Sequence, residues 1–161
     1  AGAYFVTVCT HRRAQIFGKI EDNRMALNPV GRVTAECWQD LPHHFSRVIL
    51  DRFVVMPNHL HGIVIVQDGE DGEDRRGMAC HAPTHRQFGK PQRDSLASIV
   101  GSFKSAAARD INLLRGTPAT PVWQRNDYEH VVRDEDDHNR IRQYILDNPA
   151  RWAEDESFRG A

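Results

Sequence analysis

Two histidines stand one residue apart at the start of an apolar run, PNHLHGIVIV, residues 57–66. Because the side chains of a β-strand alternate between its two faces, His59 and His61 are expected on one face and Leu60 on the other. Two neighbouring imidazoles can bind one divalent cation if a third ligand reaches them. The alternative is a pair of partly exposed histidines at the corner of a hairpin.

A tyrosine and an asparagine lie four residues apart near the carboxyl end of the chain. On a helix, Tyr144 and Asn148 share one face and are one turn apart. A phenol can act as a nucleophile and an amide oxygen as a neutral metal ligand, and phosphoryl transfer from DNA uses both. Two other interpretations stay open. Tyr144 could belong to an apolar stripe with Ile141 and Ile145, and Asn148 could cap a new helix that begins at Pro149.

The composition restricts the class of protein that carries these groups. A chain of 161 residues with 40% hydrophobic and 27% charged residues predicts a single globular domain over residues 1–161. No apolar run approaches the roughly 20 residues of a membrane helix and no signal peptide is recognisable, so we expect a soluble cytoplasmic protein. Three cysteines without CxxC spacing favour reduced thiols. The chain opens directly on a predicted strand, which suggests that a few native residues precede it.

Charge is segregated along the chain although the net charge is only −1. Residues 75–133 contain ten Lys or Arg against four Asp or Glu, whereas residues 134–156 contain three against eight. Residues 67–74 add five acidic side chains. A basic middle part between acidic segments allows a phosphate-binding surface without making the whole protein basic. Charged faces that contact only solvent are the alternative explanation.

The spacing of apolar residues predicts the elements that position these groups. Strands are predicted at 4–10, 48–56, 59–66 and 121–133, the last continuous or interrupted, and helices at 28–45, 95–114 and 134–148. Asn28 is the expected N-cap of the first helix, and Pro42 is expected to end it. The order β-α-β-β-α-β-α predicts an α+β fold, ferredoxin-like, with an antiparallel sheet of four or five strands and helices packed on it. Residues 67–94, rich in Gly, Pro and charge, predict a long mobile loop.

Three separated blocks resemble the REP-associated tyrosine transposases, which are bacterial members of the single-tyrosine HUH superfamily and relatives of the insertion-sequence-200 type. The blocks are YFVTVCTHRRAQIF, MPNHLHGIVIV and VWQRNDYEHVVRDEDDHNRIRQYILDNPARW. The resemblance covers nearly the whole chain apart from residues 67–94. It implies that His59 and His61 are the histidines of the HUH motif, that Tyr144 is the nucleophile, and that Asn148 completes the metal site. Some relatives have Gln at the last position, and Asn is shorter.

The resemblance also implies an activity, that of a metal-dependent endonuclease and strand transferase acting on single-stranded DNA beside a hairpin. Tyr144 would attack a phosphodiester, leaving a 5′-phosphotyrosine on the enzyme and a free 3′-hydroxyl. Family members use Mg²⁺ or Mn²⁺, and their targets are repetitive extragenic palindromes folded as hairpins. We expect a monomer associated with the bacterial nucleoid, although some relatives are homodimers that exchange the tyrosine helix.

Other residues are candidates for supporting roles. Glu129 and His130, on the predicted last strand, would orient the metal site from behind its ligands. Tyr128 is rejected as the nucleophile, because QYILDNP matches the nucleophile segment of the family and YEHVV matches the strand before it. Trp123 would stack on a base or, more simply, belong to the core. The candidate contacts to DNA phosphates, each of which could instead be an ordinary surface residue, are Lys104, Arg109, Arg125 and Arg133.

Two other functions stay open at this point. A metal phosphodiesterase that uses water as its nucleophile would keep its activity in Tyr144→Phe and would form no protein–DNA adduct. A domesticated hairpin-binding protein would keep its affinity for DNA but would not cleave it, whichever metal is supplied.

Overall fold

The computed structural model describes residues 1–68 and 95–154. The loop predicted at 67–94 therefore lies almost entirely outside the described residues. In the described ranges the strands are β1 Gly2–Cys9, β2 Gly18–Glu21, β3 Arg24–Leu27, β4 Val48–Met56, β5 His59–Val66 and β6 Tyr128–Val132. The α-helices are α1 Pro29–Gln39, α2 Leu41–His44, α3 Leu96–Arg115 and α4 Glu135–Asp147, and short 3-10 turns lie at His11–Arg13 and Trp152–Glu154.

Four strands form an antiparallel sheet in the order β4-β5-β1-β6. Helices α1 and α3 cover one face of this sheet and α4 covers the other, as the two hydrophobic clusters show. This arrangement confirms the predicted α+β fold with an antiparallel sheet and packed helices. Each long helix begins directly after an N-cap, since the side chains of Asn28, Ser95 and Asp134 all accept a backbone hydrogen bond from the first turn. Of these, Asn28 was predicted as a cap.

Two details differ from the sequence prediction, and a third decides between two forms that it left open. The two-stranded sheet of β2 and β3 was not predicted, because each of these strands is only four residues long. The connecting residues Asp22 and Asn23 both have positive φ, as a tight hairpin turn of this kind requires. The strand predicted at 121–133 is interrupted, and only its last part forms β6. The first helix ends at Gln39, before Pro42, which lies in the short helix α2.

The larger hydrophobic cluster lies between the sheet and the layer of α1 and α3. Leu60 and Val64 of β5 point into it, where they meet Trp38 and Phe103. Gly62, between them in the alternation, has no room for a side chain, because a Cβ there would lie 2.4 Å from the Trp38 ring. The other face of β5 therefore carries the odd-numbered residues. In the described part of the chain, no helix combines the length and the hydrophobicity needed to cross a bilayer.

Candidate active site

The two histidines of β5 lie side by side on the face that α4 covers. Their ring centroids are 4.3 Å apart, and both residues are buried, at 0% exposure for His59 and 5% for His61. Leu60 points into the core on the opposite face, so the predicted alternation is confirmed. The alternative of two partly exposed histidines at a hairpin corner is wrong, because the helix side of the sheet encloses both rings.

The hydrogen bonds of Asn58 assign the tautomer of His59. Asn58 Nδ2 donates to the carbonyl oxygen of Arg13 at 3.2 Å, which orients the amide. Asn58 Oδ1 lies 2.8 Å from His59 Nδ1 and can only accept. His59 therefore carries a hydrogen on Nδ1, which is the arrangement of an imidazole that binds a metal through Nε2.

His61 is held in a similar way from the neighbouring strand. Its Nδ1 lies 2.8 Å from the hydroxyl of Thr7 in β1, and the ring of Phe5 stacks on it with centroids 5.3 Å apart. Burial, and next the neighbouring His59, lower the pKa of His61 well below its usual value. The imidazole is therefore neutral at neutral pH and keeps a lone pair for a cation.

Tyr144 lies on α4 with its phenol beside the histidine pair. The hydroxyl is 3.4 Å from His61 Nε2, and the ring packs edge-on against Phe5 with centroids 6.0 Å apart. The residue is 41% exposed, whereas Ile141 and Ile145 form the buried stripe of the helix. The interpretation of Tyr144 as an ordinary core residue is therefore wrong, because the phenol lies at the edge of the core and can be reached from solvent.

Asn148 ends α4 and is buried close to the same site. Its backbone is helical, so it does not act as the N-cap of a new helix, and a turn and the 3-10 segment Trp152–Glu154 follow it. Tyr144, four residues before it, contacts His61, and Trp152, four residues after it, packs against His59 with centroids 5.9 Å apart. This spacing puts Asn148 on the helix face that is turned to the histidines.

The donors at this site fit a divalent cation. The buried Oδ1 of Asn148 has no hydrogen-bond partner among the described residues, and a buried oxygen of this kind is costly unless something binds it. Within residues 1–68 and 95–154 there is no group of three His, Cys, Asp or Glu able to hold a metal ion. The available protein ligands are thus two imidazoles and one amide oxygen, a mixed set that suits Mn²⁺ and accommodates Mg²⁺.

Polar bridges attach α4 to both edges of the sheet. At one edge, Asp51 of β4 binds His138 at 2.7 Å and Arg142 at 2.6 Å. At the other, His130 of β6 binds Asp137 at 2.9 Å. The role of Asp51 was not predicted from the sequence. This residue lies within an apolar strand, and its helical partner Arg142 follows about ninety residues later, so no local pattern connects the two.

The residues predicted to support the metal ligands lie on β6. In the described part of the chain neither Glu129 nor His130 contacts the histidine pair. His130 instead binds Asp137 on the helix that carries Tyr144. Glu129 is exposed and points to the other face of its strand. Tyr128 is exposed, with its ring edge-on to Phe5 at 6.4 Å between centroids, and thus lies near the site without a described contact to either histidine.

The four basic residues predicted to contact DNA fall into two groups. Lys104 is only 15% exposed, and its ammonium group binds Asp127 and the carbonyl oxygen of Gln124, both at 2.7 Å. Arg109 pairs with Asp110 on α3, on the face of the sheet opposite the histidines. The largely buried pair makes Lys104 a poor phosphate ligand, whereas Arg109 is exposed but lies on the face away from the histidines. Arg125 and Arg133 are exposed, Arg125 just before β6 and Arg133 just after it.

Trp123 belongs to the core, as the simpler of its two predicted roles requires. Its ring packs against Phe17 and Phe103, with centroids 5.5 and 5.4 Å away. Its indole nitrogen donates to the carbonyl oxygen of Lys104 at 3.0 Å. These contacts pack the ring against the core.

Comparisons with known proteins agree with this architecture. No protein-family model matches the chain. An uncharacterized protein of Haemophilus influenzae is 36% identical over 157 residues, which are 98% of this chain and 85% of that protein. A REP-associated tyrosine transposase, solved bound to a REP hairpin, superposes with a TM-score of 0.61 at 18% identity over 94% of this chain and 68% of that one. A candidate transposase of Deinococcus radiodurans superposes with a TM-score of 0.52 at 16% identity over 89% of this chain and 88% of its own. The chain therefore belongs to the same family as the Haemophilus influenzae protein and has the fold of the REP-associated tyrosine transposases.

Proposed function

We propose that this protein is a transposase that cuts and rejoins single-stranded DNA through a covalent bond to Tyr144. The observation that carries the proposal is the distance of 3.4 Å between the Tyr144 hydroxyl and His61 Nε2. A reachable phenol is thereby held beside two buried imidazoles, and that of His61 is neutral. This combination suits attack on a phosphodiester better than it suits a purely structural role.

His59, His61 and Asn148 are the proposed ligands of a divalent cation, Mg²⁺ or Mn²⁺. When bound, the cation draws negative charge from the scissile phosphate and aligns it for in-line displacement. The protein contributes the orientation of its donors. Asn58 and Thr7 hold the two imidazoles by their Nδ1 atoms, which directs both Nε2 atoms away from the strand backbone.

The proposed reaction exchanges one phosphodiester for another. The Tyr144 hydroxyl loses its proton, its oxygen bonds to phosphorus, and the bond from phosphorus to the 3′-oxygen breaks. The leaving 3′-oxygen takes up a proton, so the products are a 5′-phosphotyrosine and a free 3′-hydroxyl. Because the new ester retains the energy of the bond, a 3′-hydroxyl can reverse the reaction without ATP.

The proposed substrate is single-stranded DNA that carries a hairpin. One similar solved structure, a REP-associated tyrosine transposase, contains a REP hairpin. Phosphate contacts by the exposed Arg125 and Arg133 would make binding dependent on salt. We propose a monomer as the active form, because the tyrosine and both histidines come from one chain here.

The test is adduct formation with labelled hairpin DNA in Mn²⁺, analysed under denaturing conditions. The wild type is expected to give a protein–DNA band that Tyr144→Phe abolishes. Tyr128→Phe is the matched control, since both rings pack edge-on against Phe5 and both residues are exposed. This control is expected to keep the adduct.

Each alternative function gives a different result in the same assay. Cleavage that survives in Tyr144→Phe without any adduct would identify a water-using phosphodiesterase. Hairpin binding without cleavage in Mg²⁺ or Mn²⁺ would identify a DNA-binding protein that has lost the chemistry. Either result would overturn the proposal.

A further inference from the structure

The turn that follows β1 has a strained backbone. Arg12 and Arg13 both have a φ of 54°, in the left-handed region where a residue with a Cβ is disfavoured. Neither is Gly, Asn or Asp, the residues that adopt this conformation most readily. Two such residues in succession persist only where surrounding contacts hold them, and strain of this kind collects at functional sites.

Two buried polar side chains hold this turn in place. The Thr10 hydroxyl lies 2.8 Å from the carbonyl oxygen of Ala14 and 3.0 Å from that of Asn58. Asn58 in turn donates Nδ2 to the carbonyl oxygen of Arg13 at 3.2 Å. A buried polar group is costly unless it is hydrogen-bonded, and both Thr10 and Asn58 are buried. Their hydrogen bonds therefore stabilise this backbone conformation of the turn.

The same asparagine connects the turn to the histidine pair. Asn58 Oδ1 accepts the hydrogen of His59 Nδ1 at 2.8 Å, so one side chain fixes both the turn and a proposed metal ligand. Cys9, the last residue of β1, is paired with His59 in the sheet. Three residues of chain span at most about 11 Å, which keeps the backbone of Arg12 within that distance of Cys9.

Arg12 differs in charge pairing from several of the basic residues discussed above and resembles the exposed Arg125 and Arg133. Its side chain is exposed and, within residues 1–68 and 95–154, the guanidinium has no acidic partner. Lys104, Arg109 and Arg142, by contrast, are each paired with an aspartate. An exposed guanidinium without an internal carboxylate is the side chain best suited to bind a phosphate by two hydrogen bonds.

We propose that Arg12 binds a backbone phosphate of the single strand close to the scissile bond, and that the strained turn fixes its guanidinium relative to His59. The inference rests on the proposed function and names how the same site holds its substrate. The recognised chemistry is a phosphodiester, so the contact contributes affinity and position without reading the base sequence.

The test measures binding of a labelled single-stranded oligonucleotide at several salt concentrations. Tyr144→Phe is present in every sample, so that no strand is cut. Arg12→Ala is expected to lower the slope of log affinity against log salt by about 0.7, the value for one phosphate on a single strand. Arg12→Lys is expected to keep most of the slope. The matched control is Arg115→Ala, an exposed arginine at the end of α3 on the opposite side of the sheet, and it is expected to change nothing.

A second variant separates loss of contact from loss of structure. Arg12→Gly removes the guanidinium but relieves the left-handed strain. Its Tm is expected to equal or exceed that of the parent protein, while its salt slope falls as in Arg12→Ala. A Tm below that of the parent would contradict the assignment of strain to the turn.

The outcomes distinguish this inference from the function on which it rests. Equal slopes for Arg12→Ala and Arg115→Ala would overturn the phosphate site alone. A reduced slope for Arg12→Ala, combined with a wild type that forms no adduct in Mn²⁺, would support the phosphate site and overturn the proposed chemistry. Failure of the protein to bind any single strand would overturn both.

Discussion

The two faces of the sheet are packed in different ways. The face toward α1 and α3 holds a continuous apolar core with large buried rings such as Trp38 and Phe103. Among the described residues, the face toward α4 has a smaller buried cluster of Phe5, Ile63, Ile141 and Ile145, and histidines and aspartates complete it. One face supplies most of the hydrophobic stabilisation, whereas on the other face polar contacts replace part of the apolar packing and hold the helix that carries Tyr144.

The largest effect on stability is expected on the α3 face. Phe103→Ala deletes a fully buried ring and should lower the free energy of unfolding by about 3 to 5 kcal/mol. Urea denaturation measures this loss. Adduct formation by the fraction that remains folded should be unchanged, and selective loss of the adduct in well-folded protein would contradict the division between the two faces.

A smaller loss of stability is expected at the α4 face, accompanied by a larger loss of function. Asp51→Ala leaves His138 and Arg142 without their shared carboxylate and should cost about 1 to 3 kcal/mol. Adduct formation should fall by more than the folded fraction does, because the helix that carries Tyr144 loses one of its attachments. Asp110→Ala on α3 is the matched control and should not reduce the adduct.

Acid should weaken the same bridges progressively. Burial opposes the charge of Asp51, but hydrogen bonds from Arg142 and His138 outweigh it and lower the pKa of this carboxyl. The hydrogen bond from His130, followed by that from the Arg133 backbone, lowers the pKa of Asp137 to about 2. A carboxyl with a lowered pKa stabilises the fold above its unfolded pKa of about 4, and this contribution is lost as pH falls through the folded pKa.

Urea denaturation at pH 5 and pH 3 measures this dependence. The wild type should lose stability on acidification, and Asp137→Asn should lose less, since the substituted side chain does not titrate. If both proteins lost the same stability between pH 5 and pH 3, the bridges to α4 would not be the cause of the pH dependence.

A change behind the proposed metal ligands should affect cation binding rather than folding. Thr7→Val keeps the shape of the side chain but removes the partner of His61 Nδ1. We expect Mn²⁺ affinity to fall about tenfold, the lower end of the effect of losing such a partner, with stability nearly unchanged. Calorimetric titration with Mn²⁺ measures the affinity, and an unaltered value would remove Thr7 from the site.

The smallest effect is expected from an exposed residue of the α3 layer. Arg109→Ala removes a surface pair with Asp110, and such changes usually stay within about 0.5 kcal/mol. Single-strand affinity should also stay the same. A salt slope reduced as much as in Arg12→Ala would restore Arg109 as a phosphate contact and extend the DNA across both faces.

The sequence predicted the features that depend only on the local spacing of residues. Strand alternation placed His59 and His61 on one face, and helical spacing placed Tyr144 and Asn148 on another element with a shared face. The partners that orient these groups could not be predicted in this way. Thr7 and Asp51 reach the site from other strands, and which strands are neighbours depends on the topology of the whole sheet rather than on any local pattern.

Lys104 shows the same limit of sequence prediction, because here a residue was assigned a role that its fold partner prevents. Its basic surroundings in the sequence predicted a phosphate ligand, but the fold brings Asp127 to within 2.7 Å of it. Composition counts charges, whereas only the fold determines which of them already have a partner. Arg12, which has no acidic partner among the described residues, lies outside that basic segment, near the start of the chain.

Gly62 shows how closely the two layers depend on each other. It follows His61 directly, and a single added carbon would press on Trp38 from behind the histidines. In a genetic selection for alleles that no longer mobilise DNA, changes at this glycine should appear alongside those at the nucleophile. Such variants would lose activity as variants of the nucleophile do, although the added carbon would contact Trp38 and not the DNA.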